Sequence, residues 1–298
     1  MLKNFIDQSI IGIQIGSIYA LIALGYTMVY GIVKLINFAH GDLLMVGAYV
    51  TYYGVEKGLP FSTSIIVAII FCAILGILID ALAYKPLRSA PRMSVLITAI
   101  GVSFLLESLA LIIFGAAPKI IKSDFVPKYF STANSVKIFG FSISYLSCFV
   151  IICSILCMVL LHYFINYTKI GKATKAVSQD ADAAALMGIN SNFAISLTFA
   201  IGSALGGLGG VMYALMYPRI TPYMGMMPGL KAFIAAVFGG IGSIPGAMLG
   251  GYVLGLIETY TKAYISTSWA NPIVFLLLIL ILIIKPSGIL VKNTKEKV

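Results

Sequence analysis

Charge is scarce in this sequence. Lysine, arginine, aspartate and glutamate make up 10% of its 298 residues, against about a quarter in a soluble domain. With 60% apolar residues beside them, that is too little charge to cover a water-facing surface, and an ordinary soluble globule is excluded. Histidine is nearly absent: His40 and His162 stand far apart. The four cysteines, Cys72, Cys148, Cys153 and Cys157, all lie in apolar stretches without a C-x-x-C pair. A transition-metal or redox site therefore has no ligand set, and the spacing of Cys153 and Cys157 reads as packing on one helix face. No G-x-x-x-x-G-K-[ST] loop occurs, so the chain carries no phosphate-cradling nucleotide site of that kind. No nucleophile is matched with a base, which argues against an intramembrane enzyme. A small-residue cleavage site is also missing after the first apolar run, Ile10 to Val33, which reads as a retained span and not a signal peptide.

What the sequence has is long apolar runs. A bilayer-crossing helix needs roughly 20 mostly apolar residues, and nine stretches qualify or nearly so: 9–33, 38–55, 61–83, 93–115, 141–166, 193–217, 228–242, 244–264 and 271–284. The seventh is short and bounded by glycine, so it reads as tilted or broken. The expected fold is an all-α polytopic membrane protein of eight or nine transmembrane helices, some broken or re-entrant, forming one membrane domain over residues 1–298. An internal echo suggests two weakly similar halves: Ile15-Gly16-Ser17 followed by Gly47-Ala48-Tyr49-Val50, then Ile201-Gly202-Ser203 followed by Gly250-Gly251-Tyr252-Val253. Two readings stand for the glycine cluster Gly239, Gly240, Gly242 and Gly246 with Pro245: close helix packing, or a break beside a solute path.

Basic residues in short loops orient the spans. Lys85, Arg88 and Arg92 crowd one connection, Lys169, Lys172 and Lys175 begin another, and Lys285, Lys292, Lys295 and Lys297 close the chain. Even numbers of spans separate the three groups, which places them together on the cytoplasmic face. The segment Ala116 to Gly140 then falls outside despite Lys119, Lys122, Lys128 and Lys137, accompanied by Asp124 and two prolines. The net charge of +10 needs no nucleic acid, because basic loops facing anionic membrane lipid account for much of it.

The polar segment 169–192 lies between two strong spans on that face. Asp180 to Met187 reads as a helix of two turns, capped by Ser178 or Asp180, with Asp182 favouring its first-turn dipole. Gly188 ends it in the left-handed region and Ile189 supplies an apolar contact. Its exposed face is expected to be alanine-rich: Ala181, Ala183, Ala184 and Ala185.

Asp182-Ala183-Ala184, three residues and Gly188 resemble the E-A-A-x-x-x-G signature of ABC importer permeases, with the acid retained as aspartate. The run GSIYALIALGYTMVYGIVKLINFAHGDLLMVGAYV (Gly16–Val50) looks very like the start of the branched-chain amino acid permeases of the LivH type. Gly171–Met216, GGIGSIPGAMLGGYVLGLIE (Gly239–Glu258) and KPSGIL (Lys285–Leu290) are similar to the same family, so the resemblance covers nearly the whole chain. It implies a non-enzymatic transport subunit of a bacterial or archaeal cytoplasmic membrane. The chain would pair with a second, homologous permease, two cytoplasmic ATPases that carry the ATP, and an extracytoplasmic solute-binding protein. Segment 169–192 would be the coupling loop, with Asp182, Ala183, Ala184, Gly188 and Ile189 at the ATPase contact.

Ionisable groups inside apolar helices cost roughly 2.5–3.5 kcal/mol each on insertion scales, so each needs a partner or a role. Asn37, His40 and Asp42 form the densest polar group, and Glu107 lies well inside the fourth span. For these, and for Gly239, Gly240, Gly242 and Pro245, a role in the pathway or its gating stands beside a structural one. Glu258 and Lys262, four residues apart, are expected to pair, and Asp80 to pair with Lys85 or Arg88. An ion-coupled secondary carrier should show more acid–base pairs at midplane and has no use for a coupling loop. ABC permeases for other solutes, such as other amino acids, amides, urea, sugars or nucleosides, are the nearest rivals.

Overall fold

The computed structural model describes residues 2–34, 37–88, 90–121, 127, 135–138, 141–285 and 287–289. Lys122, Asp124, Lys128, Lys292, Lys295 and Lys297 lie outside them, as do the side chains of Arg92 and Lys137. Helices α1 (Leu2–Val33), α2 (His40–Glu56), α3 (Phe61–Ile79) and α4 (Arg92–Phe114) form the first half. A hairpin, β1 (Ser135–Ile138) and β2 (Phe141–Ser144), precedes α5 (Tyr145–Tyr167). Two short helices follow, α6 (Lys169–Gln179) and α7 (Ala181–Leu186). The second half is α8 (Ser191–Met216), α9 (Met226–Gly239), α10 (Ile244–Tyr264) and α11 (Ala270–Ile284). The all-α membrane fold expected from the sequence is present, with the hairpin as a small addition.

All nine apolar stretches are helical, but two begin elsewhere than expected and one further helix appears. Helix α1 starts seven residues before the expected position 9 and has 32 residues, about 48 Å of helix at 1.5 Å per residue. The fifth span begins at Tyr145 and not at 141, because 141–144 pairs as β2 and Ser144 Oγ accepts the Ser147 amide as the helix cap. Residues 169–179, read as plain loop, form α6.

Six stretches among the described residues are long and apolar enough to cross a membrane on their own: α1, α3 with its extension to Leu87, α4, α5, α8 and Thr267–Ile284. The two least apolar of these, α1 and α8, are the most buried, at 83% and 72% of their central windows, while the others fall between 11% and 28%. This inverts the order of a soluble core. Lipid solvates leucine and isoleucine freely, so small and polar residues take the interior.

Helices α2 and α9, of 17 and 14 residues, do not span the full depth. His40 Nε2 lies 3.2 Å from Ile22 O of α1, 11 residues before the end of that helix and so about 17 Å inside it. Residues 37–39 lead into α2 at that depth in non-helical form. Segment 217–225 does the same for α9 from the opposite end, where Lys119 and Ile220 exchange backbone bonds of 2.9 and 2.8 Å. The two starts meet: a Cβ on Gly229 would lie 2.5 Å from Gly41 Cα, and one on Gly41 would lie 2.9 Å from Gly225 O. Only glycine permits that approach.

The packing has an inverted twofold pattern. Helix α1 packs on α10 as α8 packs on α3, α2 on α8 as α9 on α1, and α2 on α3 as α9 on α10. The equivalents are thus α1/α8, α2/α9 and α3/α10, an inverted repeat with its broken helices at the centre. Of the sequence echo, Ile15–Ser17 and Ile201–Ser203 fall on equivalent helices. Gly47–Val50 and Gly250–Val253 fall on α2 and α10, which are not equivalent, so that part arose from glycine-rich composition alone.

Gly229→Val should separate the two helix starts. The expected result is a destabilisation of about 1–3 kcal/mol, the usual cost of overpacking, read as a lower melting temperature in detergent. Gly101→Val, which meets nothing within 4 Å, should leave it unchanged.

Candidate functional site

The described basic residues of the three loop groups gather at one end of the bundle. Arg88 reaches Asn192 beside the α6–α7 segment, and Ile289 N donates to Phe238 O at 3.0 Å, bringing the chain after Lys285 to the end of α9. Within that end, α6 is held by Gly171, Thr174 and Val177, which face inward at helical spacing, while Lys169, Lys172 and Lys175 face out. Thr168 Oγ1 caps it through the Gly171 amide at 3.0 Å. The cue was present in the sequence as threonine followed by a three-residue apolar spacing, hidden by the low overall hydropathy.

Asp180, and not Ser178, caps α7: its Oδ1 accepts the amides of Asp182 and Ala183 at 3.0 and 2.9 Å. Ser178 donates instead to Lys175 O. Gly188 sits at φ +82°, its amide bonds Ala185 O and the Ile189 amide bonds Ala184 O, both at 3.0 Å. This pair of bonds closes the helix as a left-handed C-cap. Ala184 corrects the expected alanine-rich face, since it is buried with Val177, Ile195 and Ile189. Ala181, Asp182, Ala183 and Ala185 are exposed. Sequence reasoning passed over Leu186 and Met187, which are 90% and 83% exposed at the tip. An apolar pair directly before the cap glycine was the available signal.

The exit of this segment is clamped. Arg88 Nη2 binds both carboxylate oxygens of Asp80 at 2.8 and 3.0 Å, and its Nη1 donates to Asn192 Oδ1 in the first turn of α8. Ser196 Oγ donates to Asp80 Oδ2 at 2.6 Å. Asp80 occupies a π-helical turn, Asp80–Tyr84, that extends α3. The same turn delivers Tyr84, whose hydroxyl donates to Asn37 Oδ1 at 2.9 Å.

Asn37 and His40 come together around a small cavity lined also by Tyr26, Phe233, Ala236 and Ile241. The His40 ring packs edge-on to Tyr26 at 4.6 Å and lies against Gly25 of α1 and Gly206 of α8. Among the described residues, His40 Nδ1 and Asn37 Nδ2 are buried without a hydrogen-bond partner. Asp42 faces elsewhere: Ser103 Oγ of α4 donates to its Oδ2 at 2.5 Å, and Glu107 lies one turn further along α4, also buried. The four polar residues thus form two groups. Gly239, Gly240, Gly242 and Pro245 belong to neither. They make the turn between α9 and α10, with positive φ at Gly240 and Gly242, so the glycines separate two helices and do not break one.

Glu258 and Lys262 pair at 2.6 Å as expected, within a larger network. Lys231 of the short α9 reaches the same Glu258 oxygen at 2.7 Å, and Tyr19 donates to the other at 2.8 Å. Lys231 was visible in the sequence as a lone cation inside an apolar run but was not singled out.

The described family of branched-chain amino acid transport system permease components matches residues 10–284. The high-affinity branched-chain amino acid transport system permease protein LivH of Escherichia coli is 41% identical over 99% of this chain and 98% of its own length. BraD of Pseudomonas aeruginosa, described in the same words, is 40% identical over 99% and 98%. A probable branched-chain amino acid transport permease protein LivH of Methanocaldococcus jannaschii is 29% identical over 97% and 94%. Among solved structures, PsaBC from Streptococcus pneumoniae in complex with Fab superposes with a TM-score of 0.52 at 15% identity, covering 96% of this chain and 97% of that one. That likeness speaks to the fold alone.

The Glu258 network holds one carboxylate between two ammonium groups, so its members are not equivalent. Glu258→Gln leaves two cations facing each other and should cost roughly 3–5 kcal/mol, as for a broken buried pair. Lys231→Met leaves Glu258 with Lys262 and Tyr19 and should cost less. Melting temperatures of the two variants in detergent check the order.

Proposed function

Since the chain belongs to the branched-chain amino acid transport permease family, we propose that it is the membrane-spanning subunit of an ATP-driven importer of leucine, isoleucine and valine. It is a multi-pass membrane protein and a transport subunit, not an enzyme. In this reading it pairs with a second, homologous permease in a cytoplasmic (inner) membrane. Two ATPases dock at the basic, cytoplasmic end, and a solute-binding protein delivers from the other side. ATP is bound by the ATPases.

The observation that carries the coupling assignment is the shape of the α7 tip. A two-turn helix closed at both ends by hydrogen bonds holds Leu186 and Met187 almost fully in the open. Exposed apolar pairs on a rigid element mark a contact surface. Asp182, Ala183, Gly188 and Ile189 serve that surface by shaping the helix, and Ala184 anchors it from below. A push on the tip passes through the capped turn into α8 at Asn192, and the Asp80–Arg88 clamp carries it to α3 as well. Helix α8 lies against the His40 ring at Gly206, so its movement shifts the aromatic cluster of His40, Tyr26 and Phe233. That cluster, with Asn37, acts as the gate, and Asp42 and Glu107 brace α2 against α4. Gly239, Gly240, Gly242 and Pro245 let α9 and α10 tilt together. Hinged rigid-body motion of this kind converts a small displacement at one site into altered access at another.

The test is uptake of radiolabelled leucine by proteoliposomes holding the assembled transporter. The double variant Leu186→Glu, Met187→Glu should lower ATP-dependent uptake by about tenfold or more, the effect of ~1.4 kcal/mol lost at the contact. Melting of the chain should be unchanged. Gly188→Arg, strained at positive φ, should lose uptake too. Wild-type uptake by the double variant would overturn the docking assignment, and uptake without ATPases would overturn the importer reading.

A further inference from the structure

A cavity of about 300 Å³ opens at the basic end between α1, α5, α6 and the α9–α10 turn. Its polar lining comes from Thr27, Asn166, Thr174, Lys175, Ser178 and Ser243. Among the described residues, no aspartate or glutamate lines it. The first turn of α10, capped by Ser243, points its positive end there. The facing carbonyls at the end of α9 do not cancel that field in full: Ala236 O and Val237 O take the Gly240 amide and Phe238 O the Ile289 amide. Thr27 stands on the wall of the cavity, but its Oγ1 is shielded from it, so Lys175 and Ser243 are the lining groups suited to an anion.

A second, apolar groove continues from this cavity along the outside of α5, lined by Met158, Val159, Tyr163 and Tyr167. His162 and Pro245 border both. Tyr163 and Tyr167 stack at 5.3 Å and are 60% and 66% exposed, in the manner of side chains at a membrane interface. An anion-accepting chamber at the depth of the loops, joined to an apolar channel running toward the bilayer centre, matches one molecule in shape and charge. We propose that this is a binding site for a single anionic phospholipid of the inner leaflet. The headgroup phosphate sits between Lys175 and Ser243, and one acyl chain lies along α5. Bound there, the lipid ties α6, the helix that leads into the α7 tip, to α1, α5 and α10.

The site requires only that the chain spans a membrane, so its test is separate from transport. The purified full-length chain is equilibrated with equal amounts of phosphatidylglycerol and phosphatidylcholine, and retained lipid is counted by native mass spectrometry. The expected result is one phosphatidylglycerol kept in preference to phosphatidylcholine. Lys175→Glu reverses an exposed charge, so its fold is preserved, and it should lower that preference about tenfold or more. Retention indifferent to headgroup, or unaltered in Lys175→Glu, would overturn the proposal. So would equal thermal protection by inorganic phosphate, which would mark a free-anion site. Loss of the lipid from chain purified with its partner subunits would overturn it as well, marking the groove as a subunit interface.

Discussion

The meeting of two backbones at Gly41 and Gly229 is the constraint on which the bundle rests. Lipid offers no hydrophobic drive between helices, so association depends on close packing and on polar groups that need partners. Two helices that begin inside the membrane expose the amides of their first turns, and those ends must be surrounded by protein. Here the starts of α2 and α9 face each other across the glycine contact and are enclosed by α1 and α8. That enclosure explains why α1 and α8 are the most buried of the long apolar spans.

Around this centre the buried charges act as struts. Asp80 and Arg88 join the extension of α3 to the start of α8, and Lys231 with Glu258 joins α9 to α10. The two struts are not equivalent under the repeat: α3–α8 corresponds to α10–α1, and α9–α10 to α2–α3. They differ in chemistry: one is a bidentate arginine with every carboxylate oxygen bonded, the other a carboxylate shared by two lysines and a tyrosine. The first also anchors the segment that follows α7, so rigidity and communication meet at one guanidinium.

Much of this was legible in the residues. Runs of about 20 apolar residues located every span, because lipid imposes a length that sequence can be read against. The capped α7 followed from Asp180, Asp182 and Gly188, whose roles are local. What could not be read was where a helix begins in depth. Asn37 to Asp42 reads in the sequence as a polar group between two spans, yet His40 lies far inside, against Ile22 in the body of α1. The orientation of Ala184 was likewise hidden: in a six-residue helix one face or another can turn inward, and tertiary contact with Val177 and Ile195 decides it. Lys231 escaped notice because its partner, Glu258, is 27 residues away on another helix.

Helix α5 has no counterpart in the inverted repeat, and its solitude has a topological meaning. A unit of four passes ends on the side where it began, so two such units joined directly would run in the same sense. A ninth pass between them is what turns the second unit upside down. Helix α5 therefore acts as the parity switch of the chain, and an even number of passes at that point would leave α9 entering from the wrong leaflet with no Gly41 to meet.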